Sequence, residues 1–174
     1  MTWKTECSSS SGIDRAIIKS DKIRRDWRIY IYHCYGGSHS SVTAAAIHVG
    51  LLHPEQKPSW QLLLSLPYFD TQKASDHGKL QFMGTVGDDL VFSVGLQTAA
   101  EPAIKALKAL FAIGQSEIGP INFIGTMPAV NLWMKIGGIC SRVLGLKGIG
   151  RPLVLYGTQR AYSNLARLVR DVKG

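Results

Sequence analysis

Apolar positions recur along this chain with two different periods, and the changes of period mark its elements. The stretch RIYIYHCY, residues 28–35, is β-branched and aromatic and has the length of a buried strand. SVTAAAIHVGLL, residues 41–52, follows as a helix whose alanines permit close approach to a sheet. SWQLLLSL reads as a short helix capped by Ser59 and stopped by Pro67. After a polar connection, LQFMGTVGDDLVFSVGL has the form of a hairpin, with Gly87-Asp88-Asp89 as its turn. EPAIKALKALFAIG is a helix with Pro102 in its first turn and Gly114 at its end. PINFIG is a short strand. AVNLWMKIGGICSRVLG is a helix with Leu132, Ile136, Ile139, Cys140 and Val143 at helical spacing. RPLVLYG reads as a strand, and QRAYSNLARLVRDVK as a closing helix with Leu165, Leu168, Val169 and Val172 turned inward.

Strands alternating with helices predict an α/β fold. The expectation is a single domain over residues 28–174, with a largely parallel sheet flanked by helices and an inserted β-hairpin that adds an antiparallel edge. Residues 1–27 differ in kind. TECSSSSG is polar and of low complexity, and KSDKIRRDWR is a charge cluster, so a flexible basic and polar tail is expected there.

Composition narrows the partners. The chain has 174 residues and is 45% hydrophobic, enough for a core, and its formal net charge is +8. Such a balance favours phosphates, nucleic acid or another anionic surface. Cys7, Cys34 and Cys140 are few and unevenly spaced, which argues against a disulfide framework, and no CxxC pair points to zinc. No apolar run approaches the ~18 residues of a membrane span, and the N-terminus lacks the apolar core of a signal peptide. A cytoplasmic protein is expected.

The chemistry concentrates where predicted strands end, because open α/β sheets bind ligands beyond the carboxyl ends of their strands. Three loops qualify: CYGGSHSS after the first strand, GTMPAVN from Gly125 to Asn131, and GTQR from Gly157 to Arg160. In the first, Gly36 and Gly37 let a ligand approach the main chain, and Ser38, Ser40 and Ser41 stand where a helix begins. Exposed N–H groups and the helix dipole favour an anion there. Thr126, Asn131, Thr158 and Arg160 would complete the pocket. The competing reading is a plain strand-to-helix turn with a serine cap.

The loop lacks the lysine and glycine spacing of a Walker motif. Cysteine phosphatases place arginine six residues after their cysteine, and here that residue is Ser40. Cys34 is still a candidate nucleophile, since a helix N-terminus and a neighbouring histidine, His33 or His39, both activate a thiol; packing at the strand end is the alternative. Residues 33 and 34 point to opposite strand faces, so no metal site is assigned. His48, His53 and His77 are read as packed or solvated, and Asp88 and Asp89 as turn formers. Asp70 closes an apolar segment, and either caps the next turn or faces the site. Arg160, Arg167 and Arg170 form a basic helix face with no nucleic-acid-binding signature beside it.

Together these readings predict a binding protein or enzyme acting on a phosphorylated small molecule or nucleotide. Cys34 and His39 would sit beside the anion as nucleophilic or acid–base groups. A Cys/His-dependent hydrolase or transferase and a non-catalytic interaction module with a basic surface are the alternatives. The sequence leaves the cofactor open.

Four segments, YHCYGGSHSSVTAAAIHVGLL, LPYFD, VNLWMKIGGICSRVLG and GRPLVLYGTQRAYSNL, resemble an uncharacterised bacterial family, a domain of unknown function seen mainly in spore-forming lineages. The resemblance spans about residues 28 to 173, with the Cys-Tyr-Gly-Gly loop and its His-Ser-Ser as the most specific element. It implies a bacterial, cytosolic protein and no particular activity.

Overall fold

The computed structural model describes residues 27–113, 119–134 and 147–174. The expected N-terminal tail, and the helix expected beyond residue 134, lie outside the described residues. Four strands form one open sheet: β1 (Ile29–Cys34), β2 (Gln81–Val86), β3 (Asp89–Gly95) and β4 (Ile121–Gly125), in the order β2-β3-β1-β4. β1 pairs in parallel with β3 on one side and β4 on the other, and β2 joins β3 antiparallel at the edge. The protein is therefore α/β with a mixed, mostly parallel sheet. The hairpin supplies an antiparallel edge, as its alternation and turn residues predict. Its second strand is also an inner parallel strand beside β1.

Local chemistry explains these elements. Gly87 has φ +60 and Asp88 does not share a positive φ, the signature of a two-residue type II′ turn. β1 sends Tyr30 and Tyr32 to one face and Ile31 to the other, and all three are buried. The first face is covered by α1 (Ser40–His48), whose alanines Ala44, Ala45 and Ala46 are fully buried against the sheet. The Tyr32 hydroxyl lies 2.8 Å from His48 Nδ1. Burial, aided by the nearby Lys173 charge, holds His48 down at about 4, so it is a neutral core histidine at physiological pH. The short helix α2 (Trp60–Ser65) starts where Ser59 accepts the Leu62 N–H, as its sequence predicts. Helix α3 (Ala100–Ile113) leads from β3 toward β4.

One expected element is overturned. RPLVLYG is not a strand: it belongs to α4, a continuous helix from Lys147 to Lys173 that contains Pro152. A short apolar run does not distinguish strand from helix. The deciding pattern is longer, since Val154, Leu155, Thr158, Ala161, Tyr162, Leu165, Ala166 and Val169 are all buried and recur with helical spacing. Gly157 reads as the end of an element but has another purpose. A Cβ there would lie 2.6 Å from the Met134 backbone nitrogen, so glycine lets α4 pass close to residues 131–134. The predicted loop Gly157–Arg160 consequently does not exist. As expected, Leu165 and Val169 face inward, with Leu168 and Val172 packed at the margin.

Candidate functional site

The chain passes from β1 to β3 on one side and later to β4 on the other, so the order reverses at β1. In open α/β sheets the crevice at such a reversal, beyond the carboxyl ends of the strands, is where ligands bind. The loop from Cys34 to Ser41 lies at that position.

Cys34 ends β1 and is buried. Its Sγ accepts the Gly37 N–H at 3.0 Å and lies 3.2 Å from Ser41 Oγ. Gly37 has φ +69, and a Cβ there would lie 2.8 Å from Gly95 Cα and closer still to Gly95 N. Gly37 therefore lets the loop pack on the end of β3. Gly36 is different: a Cβ there meets nothing within 4 Å, so this glycine borders open space.

The serines face inward. Ser38, Ser40 and Ser41 are all buried. The Thr126 hydroxyl, just past β4, is shared between Ser40 Oγ at 2.8 Å and the His33 carbonyl at 3.1 Å. Thr126 thus joins the loop as expected, but as a brace between β4 and α1. The hydroxyls of Ser40 and Ser41 are directed to other protein groups.

His39 occupies the N-cap position of α1 without capping it through its side chain. The first N–H groups of any α-helix have no intrahelical acceptor. The imidazole turns instead to Asp70, with Nε2 3.2 Å from Oδ1, and packs edge-on against Phe69 at 5.4 Å between centroids. An ionised carboxylate only accepts, so Nε2 carries the hydrogen. Asp70 Oδ2 accepts from Arg151 Nε at 2.8 Å, and the Asp70 N–H donates to the Ser38 carbonyl at 3.2 Å. Burial pushes the Asp70 carboxyl up, but the hydrogen bonds and positive charge of His39 and Arg151 outweigh it and hold the group at about 2.

Cys34, Gly36, Gly37, Ser38, His39, Ser40, Ser41 and Thr126 are therefore brought together. Three other expected site residues have different surroundings. Asn131 accepts the Met134 N–H at 3.0 Å and donates to the Gly157 carbonyl at 2.8 Å, pinning its segment to α4. Thr158 is fully buried within α4, its hydroxyl without a hydrogen-bond partner among the described residues. Arg160 is exposed on the same helix, donating to the Tyr156 hydroxyl at 3.1 Å and lying over its ring. The sequence places both in a loop, and the structure places them in helix. The charged partner that local sequence reading missed is Arg151, and the ambiguous Asp70 turns toward the site. Among the described residues no group of three His, Cys, Asp or Glu side chains is placed to hold a metal ion, and no helix is long and apolar enough to cross a membrane.

The profile of a family described as a protein of unknown function, DUF3189, matches residues 29–174. No curated protein and no solved structure matches the chain.

Proposed function

The chain belongs to the DUF3189 family of proteins of unknown function, and we propose that it binds the phosphoryl group of a small molecule or nucleotide at the loop between β1 and α1. The observation that carries this reading is the N-terminus of α1, which the His39 side chain does not cap, beside the open space at Gly36 and at the reversal point of the sheet. Orphan N–H groups and the positive end of the helix dipole suit an oxyanion. The donors would be main-chain amides, since the serine hydroxyls are directed inward. The chain's net charge of +8 agrees with an anionic ligand.

Inorganic phosphate or a nucleoside monophosphate at ~100 times its dissociation constant should stabilise the protein by about 2.7 kcal/mol. Gly36→Val should abolish that shift while leaving the unliganded melting temperature nearly unchanged, since its side chain would enter only the space the ligand needs. A wild-type protein that no phosphate compound stabilises would overturn the reading.

A second reading, a Cys/His-dependent hydrolase or transferase, is favoured by the two hydrogen-bonding groups that converge on Cys34 Sγ. In this reading iodoacetamide labels Cys34 in the native protein at neutral pH, bound phosphate slows the labelling, and Ser41→Ala slows it further. Labelling that appears only after denaturation would leave Cys34 a packing residue.

A further inference from the structure

Arg151 is the first member of a stripe along α4. Residues 151, 155, 158, 162, 165 and 169 recur at spacings of four and three and so share one helix face. Leu155, Thr158, Tyr162, Leu165 and Val169 on that stripe are buried. Where the stripe reaches the carboxyl edge of the sheet it carries an arginine whose side chain is 46% exposed. Its partner is no surface carboxylate: the Asp70 side chain is 4% exposed. Asp70 itself adopts φ +53, a left-handed conformation that aspartate tolerates better than most residues. It is tied to the binding loop twice, through its N–H to the Ser38 carbonyl and through Oδ1 to His39. A strained, buried carboxylate thus fixes a guanidinium against a loop it is already bonded to.

Only the Nε edge of Arg151 is used in this bond. The terminal N–H groups of a guanidinium form a separate fork suited to phosphate oxygens. The loop needs such a group, because residues 34–41 contain no lysine or arginine.

Building on the phosphate-binding reading above, we propose that Arg151, held by Asp70, is the cation that meets a phosphate dianion bound at the loop. The site would then prefer phosphate monoesters to singly charged anions. Arg160 cannot serve this purpose from the same helix. Nine residues on, it is turned roughly 180° away from Arg151.

The test is calorimetric titration with inorganic phosphate at about pH 5 and about pH 8, between which the monoanion gives way to the dianion. Among the described residues, the groups facing Arg151 are Asp70 and, beyond it, His39. Wild type and variant are compared at each pH. Wild type should bind more tightly at the higher pH. Arg151→Gln should lose about 10- to 100-fold there, the usual range for charge-assisted hydrogen bonds, and less at the lower pH. Arg151→Lys should recover part of the loss, and Arg160→Gln should match wild type. If Arg151→Gln does not fold because Asp70 loses the guanidinium, the double variant Asp70→Asn/Arg151→Gln removes both charges and is read in the same way.

The outcomes separate the two ideas. If Gly36→Val abolishes binding while Arg151→Gln binds the dianion like wild type, the loop binds phosphate and the role of Arg151 falls. If wild type binds no phosphate, or Gly36→Val binds it normally, both fall together.

Discussion

Gly37→Val is expected to destabilise the protein by about 3–5 kcal/mol, while Gly36→Val, one residue earlier, changes stability by no more than about 0.5 kcal/mol. The contrast follows from two geometric facts. Gly37 has a positive φ, which costs a β-branched residue most. The Cβ would also press into the backbone of Gly95, 2.8 Å from its Cα, and backbone does not swing aside as a side chain can. Gly95 is fitted reciprocally, since a Cβ on it would lie 2.7 Å from the Gly36 carbonyl carbon. Neither residue can retreat without disturbing the bond from the Leu96 N–H to the Cys34 carbonyl, 3.1 Å long. Gly36 has negative φ and open space before it. Urea unfolding followed by circular dichroism measures both variants. At this chain length the Gly37 substitution should lower Tm by roughly 10 °C. Equal stability of the two variants would show that the loop does not rest on β3 in this way. The pair also separates folding from binding, because only the Gly36 substitution tests the ligand site on an intact fold.

What could be foreseen at this site was what neighbouring residues determine. The β-branched run of β1, the Gly-Gly step, the serines and the alanine-rich helix are adjacent in sequence, and each carries its signal locally. The same holds for the Ser59 cap and the Gly87 turn. The strand order was not legible, because it depends on which segments meet. Leu153 to Tyr156 illustrates the limit: flanked by Pro152 and Gly157, it has the punctuation of a strand. The reason for Gly157 is the approach of Met134, a contact that no local pattern encodes. Thr158 and Arg160 were misplaced by that single error. The serines show a subtler limit, for composition announces hydroxyls without saying whether they face a ligand or the chain. Asp70 and Arg151 are 81 residues apart, and only the folded chain joins them.

That join has its own measurable signature. Asp70→Asn should cost about 2 kcal/mol at neutral pH and only a few tenths of a kcal/mol near pH 2. Asparagine keeps the shape of the side chain and accepts the left-handed backbone at residue 70, so the substitution removes the charge and one of the two acceptors, as protonation of the carboxyl does. The sign follows from the direction of the shift. His39 and Arg151 hold the folded carboxyl at about 2, below its ordinary value of 3.8. A group lowered on folding contributes stability above its unfolded pKa and loses it as pH falls toward the folded one. A shift of this size corresponds to about 2 kcal/mol, fully present at pH 7 and disappearing between roughly pH 5 and pH 2. Unfolding free energies for both proteins across that range provide the check. The two curves should converge as acid protonates Asp70 in the wild type. A constant gap would assign the cost to lost packing or hydrogen-bond geometry, and no gap at neutral pH would mean that the carboxylate charge adds nothing to folding.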